Sequence, residues 1–579
     1  MHELKVKARA VFFAFESVLQ GRRLCWGHLL AEHPVRLLRC DPGRMDAEEF
    51  GLRLTKRAAK ERMLCLGCAD SLTFQDRSFL GTLLHGMEKN WIGTGYVVDW
   101  TSMAPTKKIG TSASGLLLLG LLVFSGATMQ AETELIWNST AEDAWSSEGV
   151  WKNSSGSEAN WEKGAVARFP SSKSTEIFVD IPSEVVAESV RSEKSPLHLS
   201  GTGPLVLSCD STAKSIHVLA MPMGITLDVP VSLDGGGLQA WVAGSAEQPF
   251  TVNKGISERS PTGISFNFGT LALESPSTFS GGIALNNAAL ALGHDEGAGT
   301  GPIVMGSQKN IISVVNGSRS IKNTITTPWI NGIVPWQFEG NGNLTVTAPV
   351  TFQGSEKGGV AISIASGMVV TFAEGILAAE GRENILQSLT LTGGSGTLVL
   401  QKEVAYTGKT AIEAGRLVMN GYSEKQKSWT LSGTGILSGA GTIALDTDED
   451  FFFAAGKISP GMDDQVGTLK ILGSMKVGKG FEYVWNFGAR VPEGDVLELG
   501  GSFLPESAWG PWKVVVRPAA GVTLPPGNYR WPMIKSQAAI PAEAVAQALV
   551  EIDTKLGAER FTAKLEPSAT GIDLVMTVK

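Results

Sequence analysis

Gly269-Thr-Leu271-Ala-Leu273 and Gly396-Thr-Leu398-Val-Leu400 open two segments that align without a gap at an offset of 127 residues. The match continues past the opening. Phe279 falls on Tyr406, Ser280 on Thr407 and Gly281 on Gly408, followed by Leu285 on Ile412, Leu290 on Leu417 and Leu292 on Met419. Within each copy apolar residues recur at i, i+2, so alternate side chains share one face of a strand while their neighbours face the other way. Two such strands joined by a glycine turn bury too little surface to be stable alone. Stacked copies extend one apolar interior along an axis, which is the physical basis of a solenoid. The expected fold is all-β, a right-handed parallel β-helix.

The chain on either side of these copies reads the same way. Ile225-Thr-Leu-Asp-Val229, Ile264-Ser-Phe-Asn-Phe268, Asn343-Leu-Thr-Val-Thr347 and Val369-Val-Thr-Phe372 are short strand signals separated by Gly, Asn, Ser or Pro. The 68 glycines among 579 residues suit many tight turns, and a hydrophobic fraction of 43% excludes a disordered chain. Helical periodicity is confined to one short segment, Ala542–Val550. Residues 516–579, with Pro525-Pro-Gly-Asn-Tyr529 and Gly571-Ile-Asp-Leu-Val-Met-Thr-Val578, are expected to form a small C-terminal β cap over the last turn's open edge.

The run Gly396-Thr-Leu-Val-Leu400, Tyr406-Thr-Gly408 and Ala414-Gly-Arg-Leu417-Val-Met-Asn420 resembles the autotransporter-associated β-strand repeat of bacterial passenger regions. Ser432-Gly-Thr-Gly-Ile-Leu-Ser-Gly439, Ile458-Ser-Pro-Gly461 and Gly467-Thr-Leu469 are similar to the segment that closes such arrays. The resemblance spans residues 132–515 and is strongest over 385–503. It implies a bacterial surface or secreted β-helix and is nearly silent about binding chemistry. One departure matters. Autotransporters end in a membrane barrel of about a dozen amphipathic strands, and the last 64 residues here, 516–579, are too few for one. No membrane barrel of its own is expected.

Met103-Ala-Pro-Thr-Lys107-Lys108, the apolar core Leu116–Phe124, and small residues at Ser125-Gly-Ala127 or Met129-Gln-Ala131 follow the three-part order of a secretory signal over 103–131. The apolar core is about half the roughly 20 residues of a membrane-spanning helix. The competing reading is a single-pass signal anchor at about 109–127. Because such signals act at a chain's start, Met103 is the expected beginning, and residues 1–102 are an irregular leader, either spurious upstream sequence or a disordered extension. A Trp-rich N-terminal cap (132–170), the β-helix region (171–515) and the C-terminal cap follow, with the product expected to be secreted or at the cell surface. Four cysteines (Cys25, Cys40, Cys65, Cys68) fall in the leader and only Cys209 follows, so the β region has no internal disulfide. Cys65-Leu-Gly-Cys68 lacks the second pair of a zinc site.

The formal net charge is −8, and the basic excess of the leader leaves the β region more acidic still. An acidic exterior repels nucleic acid and anionic membrane. Gly408-Lys-Thr410 imitates the end of a phosphate-binding loop, but Glu403 stands where the motif needs glycine. His198, His217 and His294, the only histidines after the signal, are spaced as isolated strand or surface residues. Asp463-Asp464 and the run Asp446, Asp448, Glu449, Asp450 are the best carboxylate candidates for glycosidic chemistry or calcium, and they read better as solvated turns. Trp137, Trp145, Trp151 and Trp161 are candidates for stacking on glycans, or else a hydrophobic cap on the first turn. These features point to a non-enzymatic β-helix for adhesion, surface display or extracellular structure, with host or matrix glycans or proteins as partners and no cofactor or metal. The alternative is a polysaccharide-degrading lyase or glycosidase, recognisable by a groove that gathers two carboxylates with a Lys or Arg.

Overall fold

A computed structural model divides the chain into two units, Met1–Ile109 and Gly110–Lys579. It describes residues 133–139, 142–170, 176–193, 195–208, 217–243, 248–306, 308–328, 331–353, 358–378, 387–446, 451–462, 465–505, 510–553 and 560–579. The leader, the signal segment and all five cysteines lie outside the described residues.

The described chain is all-β, built from long stacked parallel sheets, and consistent with a β-helix. Successive strands visit three faces in a recurring order, although among the described residues no strand lies on the second face between Thr270–Leu273 and Asn310–Val314. Asn310–Val314 lies on the first face, Arg319–Ile321 on the second and Ile325–Thr326 on the third; Ile333–Gly340, Leu344–Val346 and Val350–Phe352 then repeat the circuit one layer on. The first face is a single 16-stranded sheet from Asp143–Ala144 to Phe503–Pro505. The second face is a 10-stranded sheet beginning at Arg319–Ile321. Its place is taken earlier in the chain by Leu205–Ser208, Val231–Asp234 and Ile256–Glu258, which the long strand Val185–Ser192 joins to the third face. Between the two sheets of the third face, Val404 bridges Ile376 and Ser423.

Parallel stacking sets each inward position against its equivalent one turn away, about 4.8 Å along the hydrogen-bonding direction. One ladder on the first face runs Leu197, Ile225, Phe250, Leu271, Leu290, Ile312, Phe338, Ile364, and all of these side chains are buried. Many of the intervening positions carry the Thr and Ser of the sequence pattern, which keep the outer surface polar. Every turn therefore adds apolar area to the same interior.

The two sequence copies occupy different faces, which the repeat pattern does not indicate. Thr270–Leu273 lies on the first face and Thr397–Leu400 on the second. Each copy is nonetheless one full turn, because its opening strand pairs with its closing one: Leu271 with Leu290, and Leu398 with Leu417. Phe279 and Tyr406 are both buried at the corner in between. Gly281 and Gly408 come next because the backbone of the preceding turn passes there with no room for a side chain, against Gly263 and Gln387 respectively. Gly396 is likewise pressed against Ala365, whereas Gly269 is required by its φ of +69°. The repeat thus encodes a corner and its two flanking strands, and that unit can start on any face.

Both ends of the stack switch to antiparallel pairing. Glu134–Trp137 pairs with Trp151–Asn153, which pairs with Glu158–Ala159. At the other end Gly527–Ser536 pairs with Gly571–Val578, and that strand with Phe561–Ser568. The helix expected over Ala542–Val550 is shorter, spanning Ala542–Ala546. From Ala548 the chain turns extended and pairs with Trp512–Val516, since the open edge of the second face offers hydrogen bonds that outweigh a marginal helix. Trp512 Nε1 donates to Ala544 O at 3.0 Å and pins the helix across the end. No helix among the described residues is long and apolar enough to cross a membrane.

Candidate binding surfaces

The tryptophan cluster faces inward, which corrects the stacking alternative. Trp137, Trp145 and Trp151 are buried, and Trp161 packs partly buried against the core. Trp151 stands 5.0 Å from Trp145 and from Trp161 between ring centroids, with Phe169 beside it, and its Nε1 donates to Trp145 O at 2.7 Å. Buried and packed this closely, Trp137, Trp145 and Trp151 leave no indole face for a sugar. The cluster instead plugs the apolar interior at the first turn.

The phosphate-loop look-alike is part of the stack: Gly408 and Thr410 are buried, and Lys409 between them is exposed. Lys409–Ile412 is a strand, and Thr410 is buried in a hydrogen-bond chain. Tyr406 Oη lies 2.5 Å from Thr410 Oγ1, which donates to Gln426 Oε1 at 2.5 Å. Burial pushes the Tyr406 hydroxyl well above its ordinary pKa, although its hydrogen-bonded neighbours oppose this. Asp446 is described, while Asp448, Glu449, Asp450, Asp463 and Asp464 lie outside the described residues. Among the described residues no group of three or more His, Cys, Asp or Glu is placed to hold a metal ion.

A groove of about 380 Å³ opens on the third face near the first turns, lined by Glu134, Arg168, Arg191, Ser192, Glu193, Ala220 and Pro222. Register creates it. Arg168, Arg191 and Ala220 stand side by side on adjacent strands, with two guanidinium groups in neighbouring positions. Arg168 Nε donates to Glu193 Oε1 at 2.8 Å, and Arg168 Nη1 lies 3.7 Å from Glu134 Oε2. Arg191 Nε donates to Ser189 Oγ at 3.0 Å. This is the combination of acids and bases by which a glycan-degrading site would be recognised. Here one guanidinium engages both carboxylates, Glu193 and Glu134.

Neither a family model nor a curated protein matches this sequence.

A second surface lies on the outer side of the first face. Phe178 and His198 are in register on adjacent strands, their rings 5.3 Å apart. His198 Nε2 lies 2.7 Å from Asp228 Oδ2, its Nδ1 4.0 Å from Glu176 Oε1, and Asn253 Nδ2 donates to Asp228 Oδ1 at 2.5 Å. Burial works against ionisation of Asp228, but hydrogen bonds from Asn253 and His198 prevail and hold its carboxyl below the usual range. His198 is therefore not isolated, as its spacing implies. No sequence signal announces this group, because its members come from four successive turns.

Asp495 is the one strongly perturbed carboxyl among the described residues, and it is fully buried. Its oxygens accept from Gly467 N at 2.8 Å, Asn486 N at 2.9 Å and Asn486 Nδ2 at 2.8 Å. Burial nevertheless pushes its pKa up to about 8. The residue ties the loop at Gly467 to the strand Glu482–Phe487.

Proposed function

We propose that the chain is an exported, right-handed parallel β-helix of the passenger type, a non-enzymatic scaffold that presents its lateral faces to glycans or proteins of a host or matrix. The observation that carries this reading is the stacking of parallel strands on recurring faces around one continuous apolar core, with antiparallel strands at both ends. The resemblance over 385–503 and the secretory order of residues 103–131 support the bacterial surface setting. An acidic exterior on a long polar surface suits contacts spread over many turns, as adhesion or display requires.

A polysaccharide lyase or glycosidase is the second reading, favoured by the groove around Arg168 and Arg191. Both readings meet in one experiment. The full chain is screened on glycan and extracellular-matrix arrays and, in parallel, incubated with neutral and uronic-acid polysaccharides while reducing ends and unsaturated products are measured. The scaffold reading expects retention on an array without product. Turnover of any polysaccharide establishes the enzyme instead, and retention on neither array leaves a purely structural role.

A further inference from the structure

We infer that Phe178, His198, Asp228 and Asn253 form a binding subsite for a neutral glycan on the outer side of the first face. The inference deepens the scaffold reading and rests on it. Phe178 is 41% exposed, whereas Phe250, further along the same sheet, is fully buried. An open aromatic face on a sheet matches the C–H face of a pyranose ring. Beside it, three consecutive turns hold a polar edge in place: His198 on Asp228 and Asn253 on the same carboxylate. Each Asp228 oxygen takes one protein donor and keeps lone-pair capacity for a sugar hydroxyl. With His198 Nε2 turned to Asp228, Nδ1 faces outward toward Glu176 as a further polar contact. Side chains locked to one another in this way lose little freedom on binding. The two carboxylates, Asp228 and Glu176, outnumber the one nearby ammonium, Lys254, and so disfavour a uronic or sialic acid, and no metal-holding group stands among the described residues. An uncharged sugar polymer lying across the turns is the ligand chemistry that fits.

Affinity electrophoresis of the full chain in gels containing mannan, xylan or mixed-linkage glucan, followed by calorimetry with the corresponding hexaoses and with a galacturonate oligomer, tests this. The wild type is expected to bind at least one neutral hexaose and not the galacturonate. Phe178→Ala is expected to weaken that binding about tenfold through lost ring contact. Asp228→Asn should weaken it comparably, Phe178→Tyr should retain it, and each variant should keep a cooperative melting transition that shows it folded. Galacturonate binding alone, no neutral binding, or neutral binding that survives both Phe178→Ala and Asp228→Asn overturns the subsite. In the last case the scaffold reading stands. Cleavage of the bound hexaose instead overturns the scaffold reading and leaves the subsite in place.

Discussion

Gly408→Ala is the sharpest test of how the turns are stacked. A Cβ at Gly408 would lie 1.5 Å from Gln387 O on the preceding turn, where real Cβ atoms essentially never come within 3.0 Å. The two turns must therefore separate locally by about 1.5 Å, which stretches an N–H···O bond of roughly 2.9 Å beyond bonding range. The ladder at risk joins Leu389–Leu391 to Thr410–Ile412. Losing about two of its bonds, each leaving buried groups unsatisfied at about 1–3 kcal/mol, predicts a loss of about 2–6 kcal/mol. In a stack of nearest-neighbour contacts the damage stays local. Amide hydrogen exchange should therefore accelerate by about 10²–10³-fold at 388–391 and 409–412, and far less in the first turns. Gly332→Ala is the control, since nothing lies within 4 Å of its added Cβ; it should change stability by less than about 1 kcal/mol. If Gly408→Ala exchanges like Gly332→Ala, the close approach between turns, and with it this account of the repeat glycine, is wrong.

Three further outcomes are expected. Because burial raises the Asp495 pKa from 3.8 to about 8, the stability its neutral form contributes is complete in acid and falls as pH rises from about 4 to about 8, at up to about 1.4 kcal/mol per pH unit. Asp495→Asn should flatten the denaturant midpoint over that window, and an unchanged profile would count against the buried neutral acid. Glu498 runs the opposite way. Burial opposes its ionisation, yet Lys470 and Lys535, each 3.2 Å away, hold its pKa below the usual value, so its contribution is lost as pH falls. Glu498→Gln should cost less than about 1 kcal/mol at neutral pH, a difference that 1 M salt removes. Trp151→Ala should cost about 3–5 kcal/mol and open the strands Glu134–Trp137 and Ala165–Phe169 to exchange before the last turns, and a uniform loss of protection would show that the cluster is not a local plug.

Strand identity is legible because it is local. Alternation in Thr397–Leu400 reports which side chains share a face whatever the chain does elsewhere, and Leu398 and Leu400 are both fully buried as the pattern requires. The glycine of Gly408-Lys-Thr410 is legible as a repeat position, though only the packed backbone of Gln387 explains why it is glycine. The helix at Ala542 reads too long because the competing partner, the edge strand Trp512–Pro518, is not a local neighbour. Trp137, Trp145, Trp151 and Trp161 announce an aromatic cluster, while their direction depends on whether the end of the core has to be closed. Asp495 carries no signal in the sequence, because the backbone donors of Gly467 and Asn486 converge on it only after folding.

By itself, then, the sequence determined the strand-and-turn composition, the one-turn repeat and the acidic exterior, all of which arise from side-chain alternation and backbone preferences within a few residues. The tertiary structure alone decided which face each strand occupies and which distant residues meet. Turn lengths vary along the stack, while parallel pairing holds each strand to its own sheet. Pairing with the neighbouring turn puts the first repeat copy's opening strand on the first face and the second copy's on the second, and His198, Asp228 and Asn253 meet because the turns between them bring equivalent positions into register.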